Sequence, residues 1–268
     1  MRVSVLVTSY NYENYITETL TSLLNQTTPI YEIVIIDDGS TDGSPRIISQ
    51  IAKGHKNIKF IQHEDFKNHG LPASLQRGIQ FISGDYVAFC ESDDYWDKGH
   101  YESLINFLKQ NKEANFVVGQ TKVINPDKHP DYKNYVNYTE EMLKRKNRRK
   151  LFDKIRDFNV IPTFSSVCVK TSLLRKCNFC TPLPQYIDFW LWRQILSSEP
   201  CFYCDSAITH WRKHPLSYDQ RENITDLEHF IALSDNIIQT PLLTRYIGKL
   251  IRTSRKVFQL VRKVKVLL

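Results

Sequence analysis

Three carboxylates lie close together in the sequence, at Glu91, Asp93 and Asp94, directly after an apolar run at 86–90. Carboxylates this close repel one another unless a cation lies among them, and all-oxygen ligands suit Mg²⁺ or Mn²⁺. Such an ion binds through one or two carboxylates and completes its shell with substrate phosphates. The alternative is an acidic turn in which Asp94 or Asp97 caps the next helix. The segment therefore predicts either a divalent-metal site or a helix start.

Two more polar segments each follow an apolar run. Residues 8–11 read Thr-Ser-Tyr-Asn, and residues 37–42 read Asp-Asp-Gly-Ser-Thr-Asp. Ligands of parallel sheets bind beyond the carboxyl ends of the strands, so we expect these segments to share a site with residues 91–94. Asp, Gly and Ser also favour turns for purely structural reasons. We expect a functional role for Asp38 and a turn-forming role for Asp37.

The first half of the chain alternates short apolar runs with helical patterns. The apolar runs predict strands at 3–8, 33–36, 58–61, 86–90 and 116–118, and the helical spacing predicts helices at 14–25, 47–51, 71–82 and 104–108. Continuous apolar strands separated by helices are typical of a mostly parallel sheet that is covered on both faces. We therefore predict an α/β fold.

The second half of the chain is less regular. It predicts a loop at 125–136, a basic helix to about residue 157, a strand at 165–169, a helix at 189–196 and a strand or hairpin at 201–211. The simplest organisation is one domain made of two halves, 1–124 and 125–240, with a helical appendage at 241–268.

The order of these segments resembles glycosyltransferase family 2, whose members share the GT-A fold. The family pattern is a Thr-Ser-Tyr-Asn-like start, Asp-Asp-Gly-Ser-Thr-Asp, a loop with Asn-x-Gly, and Gly-x-Tyr leading into an acidic group. This chain matches the order over roughly its first 120 residues, with segments at 8–11, 37–42, 68–70, 84–86 and 91–94. The resemblance implies metal-dependent, inverting transfer of a sugar from a nucleotide-diphosphate donor, foremost a UDP-sugar, to an acceptor hydroxyl.

The resemblance also implies roles for single residues. Residues 1–124 would form the nucleotide-sugar-binding half, and residues 125–240 the acceptor-side half. Asp38 would accept a hydrogen bond from a uracil-like imide. The donor would contact Thr8, Tyr10, Asp38, Glu91, Asp93 and His214, and the metal would bind Asp93 and Asp94.

Asp188 is the candidate catalytic base. Sugar transfer needs a base that takes the acceptor proton as the new bond forms, and in inverting members of the family this base is an Asp before a Trp-containing helix. Asp188 precedes a Phe-Trp-Leu-Trp run at 189–192, and the alternative is that it only caps this helix. Residues 209–215 resemble the family's Tyr-Arg-x-His segment, so His214 would reach the diphosphate or the metal with support from Arg212.

Two Cys-x-x-Cys pairs, Cys177 with Cys180 and Cys201 with Cys204, are separated by 20 residues. This spacing fits a structural zinc site with four thiolate ligands. However, residues three apart in a strand face opposite sides, so Cys201 and Cys204 would not reach one ion from a strand. The alternative is four small thiols in the core. In an intracellular protein we expect the six cysteines to be reduced.

The net charge of +7 is concentrated near the C-terminal end. Residues 245–268 hold eight Lys and Arg and no Asp or Glu, which leaves 28 basic and 29 acidic residues elsewhere. This distribution argues against a surface that coats nucleic acid. Helical apolar spacing predicts a basic amphipathic helix at 241–268, which would lie on an anionic membrane surface or, alternatively, dock on the protein or a partner. The first residues fit no signal peptide and no run suits a spanning helix, so we expect a cytoplasmic protein on the inner face of the cell membrane.

The acceptor is expected to be a lipid-linked or surface-polysaccharide glycan, which suits a membrane-bound tail. Two other functions stay open at this point. A nucleotidyltransferase has a similar sheet and similar metal acids, but it needs a glycine-rich phosphate loop, which residues 8–11 lack. A non-catalytic nucleotide-sugar- or glycan-binding protein would keep the donor site, and the absence of a Glu-Asp pair at Asp188 is compatible with it.

Overall fold

The apolar runs of the first half form strands whose side chains are buried on both faces. The structure, a computed structural model, describes residues 1–125, 128–144, 159–181 and 184–214. Its strands are β1 (Val3–Ser9), β2 (Glu32–Asp37), β3 (Ile58–Gln62), β4 (Tyr86–Phe89), β5 (Tyr95–Trp96), β6 (Phe116–Val123), β7 (Val167–Lys170) and β8 (Cys201–Trp211). Its helices are α1 (Ile16–Leu24), α2 (Ser44–Lys53), α3 (Leu71–Phe81), α4 (His100–Gln110), α5 (Pro130–Lys144), α6 (Thr171–Leu174) and α7 (Ile187–Leu196).

The strands form one sheet in the order β3-β2-β1-β4-β7-β6-β8-β5. β1 pairs in parallel with β2 and β4, β2 pairs in parallel with β3, and β6 pairs in parallel with β8. β7 is antiparallel to both of its neighbours, β4 and β6, and β5 is antiparallel to β8. The predicted mostly parallel sheet is therefore confirmed, and the carboxyl ends of β1, β2, β4, β6 and β8 point to the same edge.

Helices cover both faces of the sheet, as predicted. Successive residues of a strand point to opposite faces, so Leu6 of β1 packs in one core while Val5 and Val7 pack in the other. The Leu6 face is covered by α3 and α7, and the Val5 face by α1, α2 and α4. The sheet is thus the middle layer of an α/β sandwich and holds the loops at its edge in fixed positions.

For the second half, the structure corrects one prediction and decides between the two alternatives of another. We expected a loop at 125–136, but α5 begins at Pro130, where the fixed φ of proline suits the first turn of a helix. Only Val136 and Thr139 of this helix are buried, so the sequence shows too few apolar residues to indicate it. Residues 201–211 form one strand, β8, rather than a hairpin, with an irregularity in its pairing opposite Gly119 and Gln120 of β6.

The predicted zinc site is wrong. Cys201 and Cys177 each pack against the core on one face of the sheet, whereas Cys204 is buried in the core on the other face, because Cys201 and Cys204 are three apart on β8. Cys180 is exposed. Within the described ranges no three His, Cys, Asp or Glu side chains form a metal-binding group. These four cysteines are separate free thiols.

The two halves of the chain share the sheet. β6 belongs to residues 1–124, yet its neighbours β7 and β8 come from the second half. The boundaries at 124 and 240 stay predictions, and the predicted appendage at 241–268 lies outside the described residues. None of the described helices is both long enough and apolar enough to cross a membrane.

Candidate active site

The polar segments at the strand ends surround one cavity of about 580 Å³. Its lining residues follow the carboxyl ends of β1, β2, β4 and β8, which is where sheets of this kind bind ligands. Asp94 and His214 lie beside the cavity, in contact with residues that line it. The predicted site residues that line it are Thr8, Tyr10, Asp38, Glu91, Asp93 and Asp188.

Asp37 and Asp38 have different roles in the loop after β2. Asp37 is fully buried and accepts hydrogen bonds from the Ser40 amide at 3.0 Å and the Ser40 hydroxyl at 2.6 Å. Burial raises the pKa of the Asp37 carboxyl. Asp38 lines the cavity, and its two oxygens accept hydrogen bonds from the amides of His69 at 2.9 Å and Gly70 at 3.0 Å. Asp37 therefore closes the turn, whereas those two amides orient Asp38 at the cavity.

Gly39 brings this loop against the segment before α3. It has a φ of +73°, in the left-handed region that favours glycine. A β-carbon there would lie 2.3 Å from the carbonyl carbon of Lys67. We therefore expect Gly39→Ala to lower the free energy of unfolding by about 2–4 kcal/mol, because left-handed strain and a backbone clash add. Chemical denaturation measures this loss.

Gly70→Ala is the matched control. Gly70 has a φ of +85°, but the nearest atom to an added β-carbon lies at 3.8 Å. This variant is expected to lose only the strain contribution of its glycine-type backbone, with φ +85° and ψ 158°, about 1–3 kcal/mol. Equal losses in the two variants would contradict the importance of the close approach between Gly39 and Lys67.

Asp94 is buried at the back of the cavity. Its Oδ2 accepts hydrogen bonds from the hydroxyls of Ser165 at 2.6 Å and Thr163 at 3.0 Å, and its Oδ1 accepts one from the Arg212 amide at 2.9 Å. Burial raises the pKa of Asp94 to about 7. Asp94 does not itself line the cavity, whereas Asp93 does, so the geometry favours Asp93 over Asp94 as the residue that would meet a metal.

Glu91 is tied to the same hydroxyl cluster. Thr163 Oγ1 lies 2.7 Å from Glu91 Oε2, and the Glu91 amide donates to Ser165 Oγ at 2.9 Å. Burial raises the pKa of Glu91 well above its ordinary value, and the negative charges of Asp93 and Asp94 raise it further. The sequence carries no signal for Thr163 and Ser165, because Thr163 lies 72 positions beyond Glu91 and its hydroxyl belongs to no motif.

Asp93 faces the cavity and pairs with His214. His214 Nε2 lies 3.0 Å from Asp93 Oδ2, and the His214 ring packs on Tyr15 with ring centroids 4.4 Å apart. No three metal-binding side chains converge here or elsewhere in the described part of the chain. An ion at Asp93 would therefore need further oxygen ligands, which the phosphates of a nucleotide supply.

Two buried hydroxyls on the cavity wall fit such a ligand. Ser9 and Ser92 line the cavity, and neither side-chain hydroxyl has a hydrogen-bond partner among the residues that the structure describes. Buried polar groups in proteins are nearly always hydrogen-bonded. A ligand rich in oxygen atoms would supply the partners. The residues around Asp93 thus suit Mg²⁺ or Mn²⁺ bound together with a diphosphate.

The segment after β8 is fixed against α1. The Arg212 guanidinium pairs with Glu18 and lies over the rings of Tyr15 at 4.9 Å and Tyr95 at 5.6 Å from their centroids. Its backbone amide at the same time binds Asp94. Arg212 therefore holds the segment that carries His214, and the predicted role of His214 at a diphosphate or metal stays a prediction.

Asp188 also lines the cavity, from the first turn of α7 in the second half of the chain. The N-cap of this helix is Tyr186, so Asp188 does not occupy the capping position. Its Oδ2 accepts a hydrogen bond from Asn159 Nδ2 at 2.5 Å. Burial raises the pKa of Asp188 to about 6. A carboxyl with this pKa is mostly ionised at neutral pH and can accept a proton.

Aromatic side chains from α5 and β8 form the wall next to Asp188. Tyr132 and Trp211 meet edge to face with centroids 5.5 Å apart, and the Lys213 ammonium lies 3.8 Å from the Trp211 ring centroid and 4.3 Å from that of Tyr132. The charge of Lys213 also opposes the rise in the pKa of Asp188. Aromatic rings beside a cation suit a sugar or polyol chain with a polar group.

A mostly parallel sheet with an acidic cavity at its carboxyl edge defines an α/β protein of the GT-A type, which confirms the predicted fold. The chain belongs to glycosyl transferase family 2, whose family model matches residues 4–171. This match covers the strand-end segments that surround Asp38 and Asp93 and continues through β7.

Similar proteins agree with this assignment. The poly(ribitol-phosphate) beta-glucosyltransferase of Bacillus spizizenii is 37% identical over 128 residues, which cover 47% of this chain and 20% of that protein. The crystal structure of Staphylococcus aureus TarS 1-349 in complex with UDP-GlcNAc has a TM-score of 0.65 and 23% identity, and the superposition covers 87% of this chain and 64% of that one. The mannosyltransferase PcManGT of Pyrobaculum calidifontis, in complex with GDP-Man and Mn²⁺, has a TM-score of 0.62 and 17% identity, covering 90% and 65%.

The chain corresponds to only part of the curated relatives. The matched regions span between 16% and 42% of the length of four of them. The likeness therefore establishes the family and the fold.

Proposed function

We propose that the protein is a metal-dependent glycosyltransferase that moves a sugar from a UDP-sugar to an acceptor hydroxyl with inversion. The observation that carries this proposal is that Asp38 and Asp93 from the first half of the chain and Asp188 from the second half line one cavity. A cavity lined by both halves suits a reaction that joins two substrates. The glucosyltransferase relative and the UDP-GlcNAc complex of the structural neighbour support this class of reaction.

The donor would bind at the ends of β1, β2 and β4. Asp38 is oriented by two backbone amides and keeps lone pairs for the imide of a uracil-like base. Thr8 and Tyr10 line the same part of the cavity. Mg²⁺ or Mn²⁺ held by Asp93 would supply the positive charge that a departing diphosphate requires. The Mn²⁺ in the mannosyltransferase complex supports this choice of ion.

Asp188 would act as the base. Its carboxylate takes the proton of the acceptor hydroxyl while that oxygen bonds to the anomeric carbon and the bond from this carbon to the diphosphate breaks. The attacking oxygen and the leaving group lie on opposite sides of the carbon, so one such displacement inverts its configuration. Asp188 and the proposed donor residues come from different halves of the chain and line the same cavity, which is compatible with this arrangement.

The acceptor would approach along the aromatic wall beside Asp188. Tyr132 and Trp211 offer rings for a sugar or polyol chain. We propose a surface-polysaccharide or lipid-linked glycan as acceptor, which the poly(ribitol-phosphate) relative supports. Residues 245–268 would hold the enzyme on an anionic membrane surface, through the eight Lys and Arg that the sequence places there.

A thermal-shift screen of nucleotide-sugars tests the donor assignment. A ligand that binds only the folded state raises the melting temperature, by about 5–10 °C at a hundredfold excess over its Kd for a chain of this size. We expect this rise for UDP-sugars with Mn²⁺ and a much smaller one without Mn²⁺. ADP-sugars are the matched control. A UDP-sugar that gives no shift in the presence of Mn²⁺ would contradict the proposal.

A further inference from the structure

Asn159 contacts three other parts of the protein. Its side-chain Nδ2 donates to Asp188 Oδ2 at 2.5 Å, and its Oδ1 accepts a hydrogen bond from the Ile161 amide at 3.1 Å. Its backbone carbonyl accepts a hydrogen bond from the Tyr135 hydroxyl at 2.7 Å. Asn159 also lines the cavity. It therefore connects α5, the core and the candidate base at one point.

We propose that Asn159 is a positioning residue for Asp188: together with the backbone amide of Phe189, its side chain holds the carboxylate by a hydrogen bond in the orientation from which it meets the acceptor hydroxyl. This inference rests on the proposed role of Asp188 as the base.

The contact with Ile161 determines which end of the amide faces Asp188. The oxygen and nitrogen of an Asn side chain have nearly the same shape, so their positions follow from the hydrogen bonds they make. The Ile161 amide can only donate, which places Oδ1 of Asn159 toward it. Nδ2, which can only donate, then points to Asp188. A donor at this position favours the ionised carboxylate, which is the form that a base needs.

The surroundings keep Asn159 in place. Val160 and Ile161, the next two residues, are fully buried in the core, so the backbone after Asn159 has little freedom. Tyr135 of α5 fixes the carbonyl of Asn159, and burial raises the pKa of the Tyr135 phenol, which therefore remains a donor. Packing on one side and a hydrogen bond on the other fix the direction of the amide.

Three ionisable side chains lie near Asp188. Glu91, after β4, carries the same charge, and Lys213, after β8, carries the opposite one. Tyr135 faces Asp188 from α5 and stays neutral. Burial raises the pKa of Asp188 and favours its protonated form, whereas the hydrogen bonds from the Phe189 amide and from Asn159 favour the carboxylate. Without Asn159 the carboxyl would hold its proton to higher pH and would lose its side-chain hydrogen bond from this residue.

The test compares sugar transfer by wild type and Asn159→Ala from pH 5 to pH 9 in the full chain, at saturating UDP-sugar and Mn²⁺. Removing a hydrogen bond to a charged group should lower kcat about 10–100-fold near neutral pH. The midpoint of the acid limb should move to higher pH, so the loss should be smaller at alkaline pH. The Kd of the UDP-sugar, measured by thermal shift, should stay unchanged.

Two further variants make the test specific. Tyr135→Phe removes only the hydroxyl that fixes Asn159, so it should move the acid limb in the same direction by a smaller amount. Asn115→Ala removes a similar hydrogen bond from an Asn Nδ2 to a carboxylate, at 2.8 Å from Glu199, away from the cavity. This control should leave the pH profile unchanged.

Three results would overturn the inference. If Asn159→Ala lowers kcat equally at all pH values, Asn159 supports the structure without positioning the base. If it weakens binding of the UDP-sugar as strongly as it slows transfer, Asn159 belongs to the donor site. If Asn159→Ala does not fold, an unchanged pH profile for Tyr135→Phe contradicts the proposal. Failure of the proposed function itself would appear separately, as full transfer activity of Asp188→Asn.

Discussion

Asp93→Asn is expected to abolish metal-dependent donor binding and to lower sugar transfer about a thousandfold, which corresponds to about 4 kcal/mol of transition-state stabilisation. Asn keeps the shape of the side chain but removes the negative charge, so an ion in the cavity would lose the Asp93 carboxylate as a ligand. The measurement is kcat/KM for sugar transfer in a series of Mn²⁺ concentrations, together with the thermal shift produced by a UDP-sugar.

Asp97→Asn is the matched control for this experiment. Asp97 Oδ1 lies 2.8 Å from His210 Nε2, so it forms the same kind of Asp–His pair as Asp93 and His214, but it does not line the cavity. Its replacement is expected to change transfer by no more than about twofold. If Asp93→Asn binds donor and Mn²⁺ as tightly as wild type, the metal is not held by Asp93.

Asp188→Asn is expected to slow sugar transfer about 10²–10⁴-fold while donor binding stays intact. The amide cannot accept the acceptor proton, but its oxygen can still accept the hydrogen bond from Asn159, so the site keeps its shape. Single-turnover transfer and thermal shift with a UDP-sugar measure the two properties separately. A protein that only binds nucleotide-sugars would show the thermal shift without any transfer in the wild type.

The pH dependence of wild-type transfer follows from the raised pKa of Asp188. The base acts as a carboxylate, so the rate should rise with pH through about 6 and level off above it, because burial raises the pKa to about 6 from 3.8. The folded protein binds this proton more tightly than the unfolded chain, so ionisation of Asp188 lowers stability as pH rises between these two values. Asp188→Asn should therefore be at least as stable as wild type near neutral pH. A mere helix-stabilising role would give the opposite result, a lower melting temperature with unchanged transfer.

Local patterns were sufficient to predict the first half of the fold and the part of the cavity at the ends of β1, β2 and β4. The buried strands β1, β2 and β4 are short apolar runs, and strand direction alone brings the segments that follow them to one edge. The positions of Asp38 and Asp93 at the cavity could be predicted for that reason. The turn-forming role of Asp37 also follows from turn chemistry, since Asp, Gly and Ser favour such loops.

Contacts between distant segments could not be predicted. The hydroxyls of Thr163 and Ser165 donate hydrogen bonds to Asp94 although they lie 69 and 71 positions away in the sequence. No residue type or spacing predicts such a contact. Asn159 is likewise an ordinary polar residue until the fold places it beside Asp188. The cysteine spacing was misleading for a physical reason, because a strand sends residues three apart to opposite faces, and the structure of residues 201–211 decides the question.

The position of β7 has a consequence for engineering. β7 lies between β4 and β6, and both neighbours of β6 come from beyond residue 124. A protein cut after residue 124 would leave β6 without a strand partner on either side, although its first four residues are buried in the complete sheet. The cut would also expose the edge of β4 that β7 covers. A chimera designed to change acceptor preference should therefore keep β7 and β8 of the protein that supplies the sheet. Only α5, α7 and the loops around them should come from the other protein.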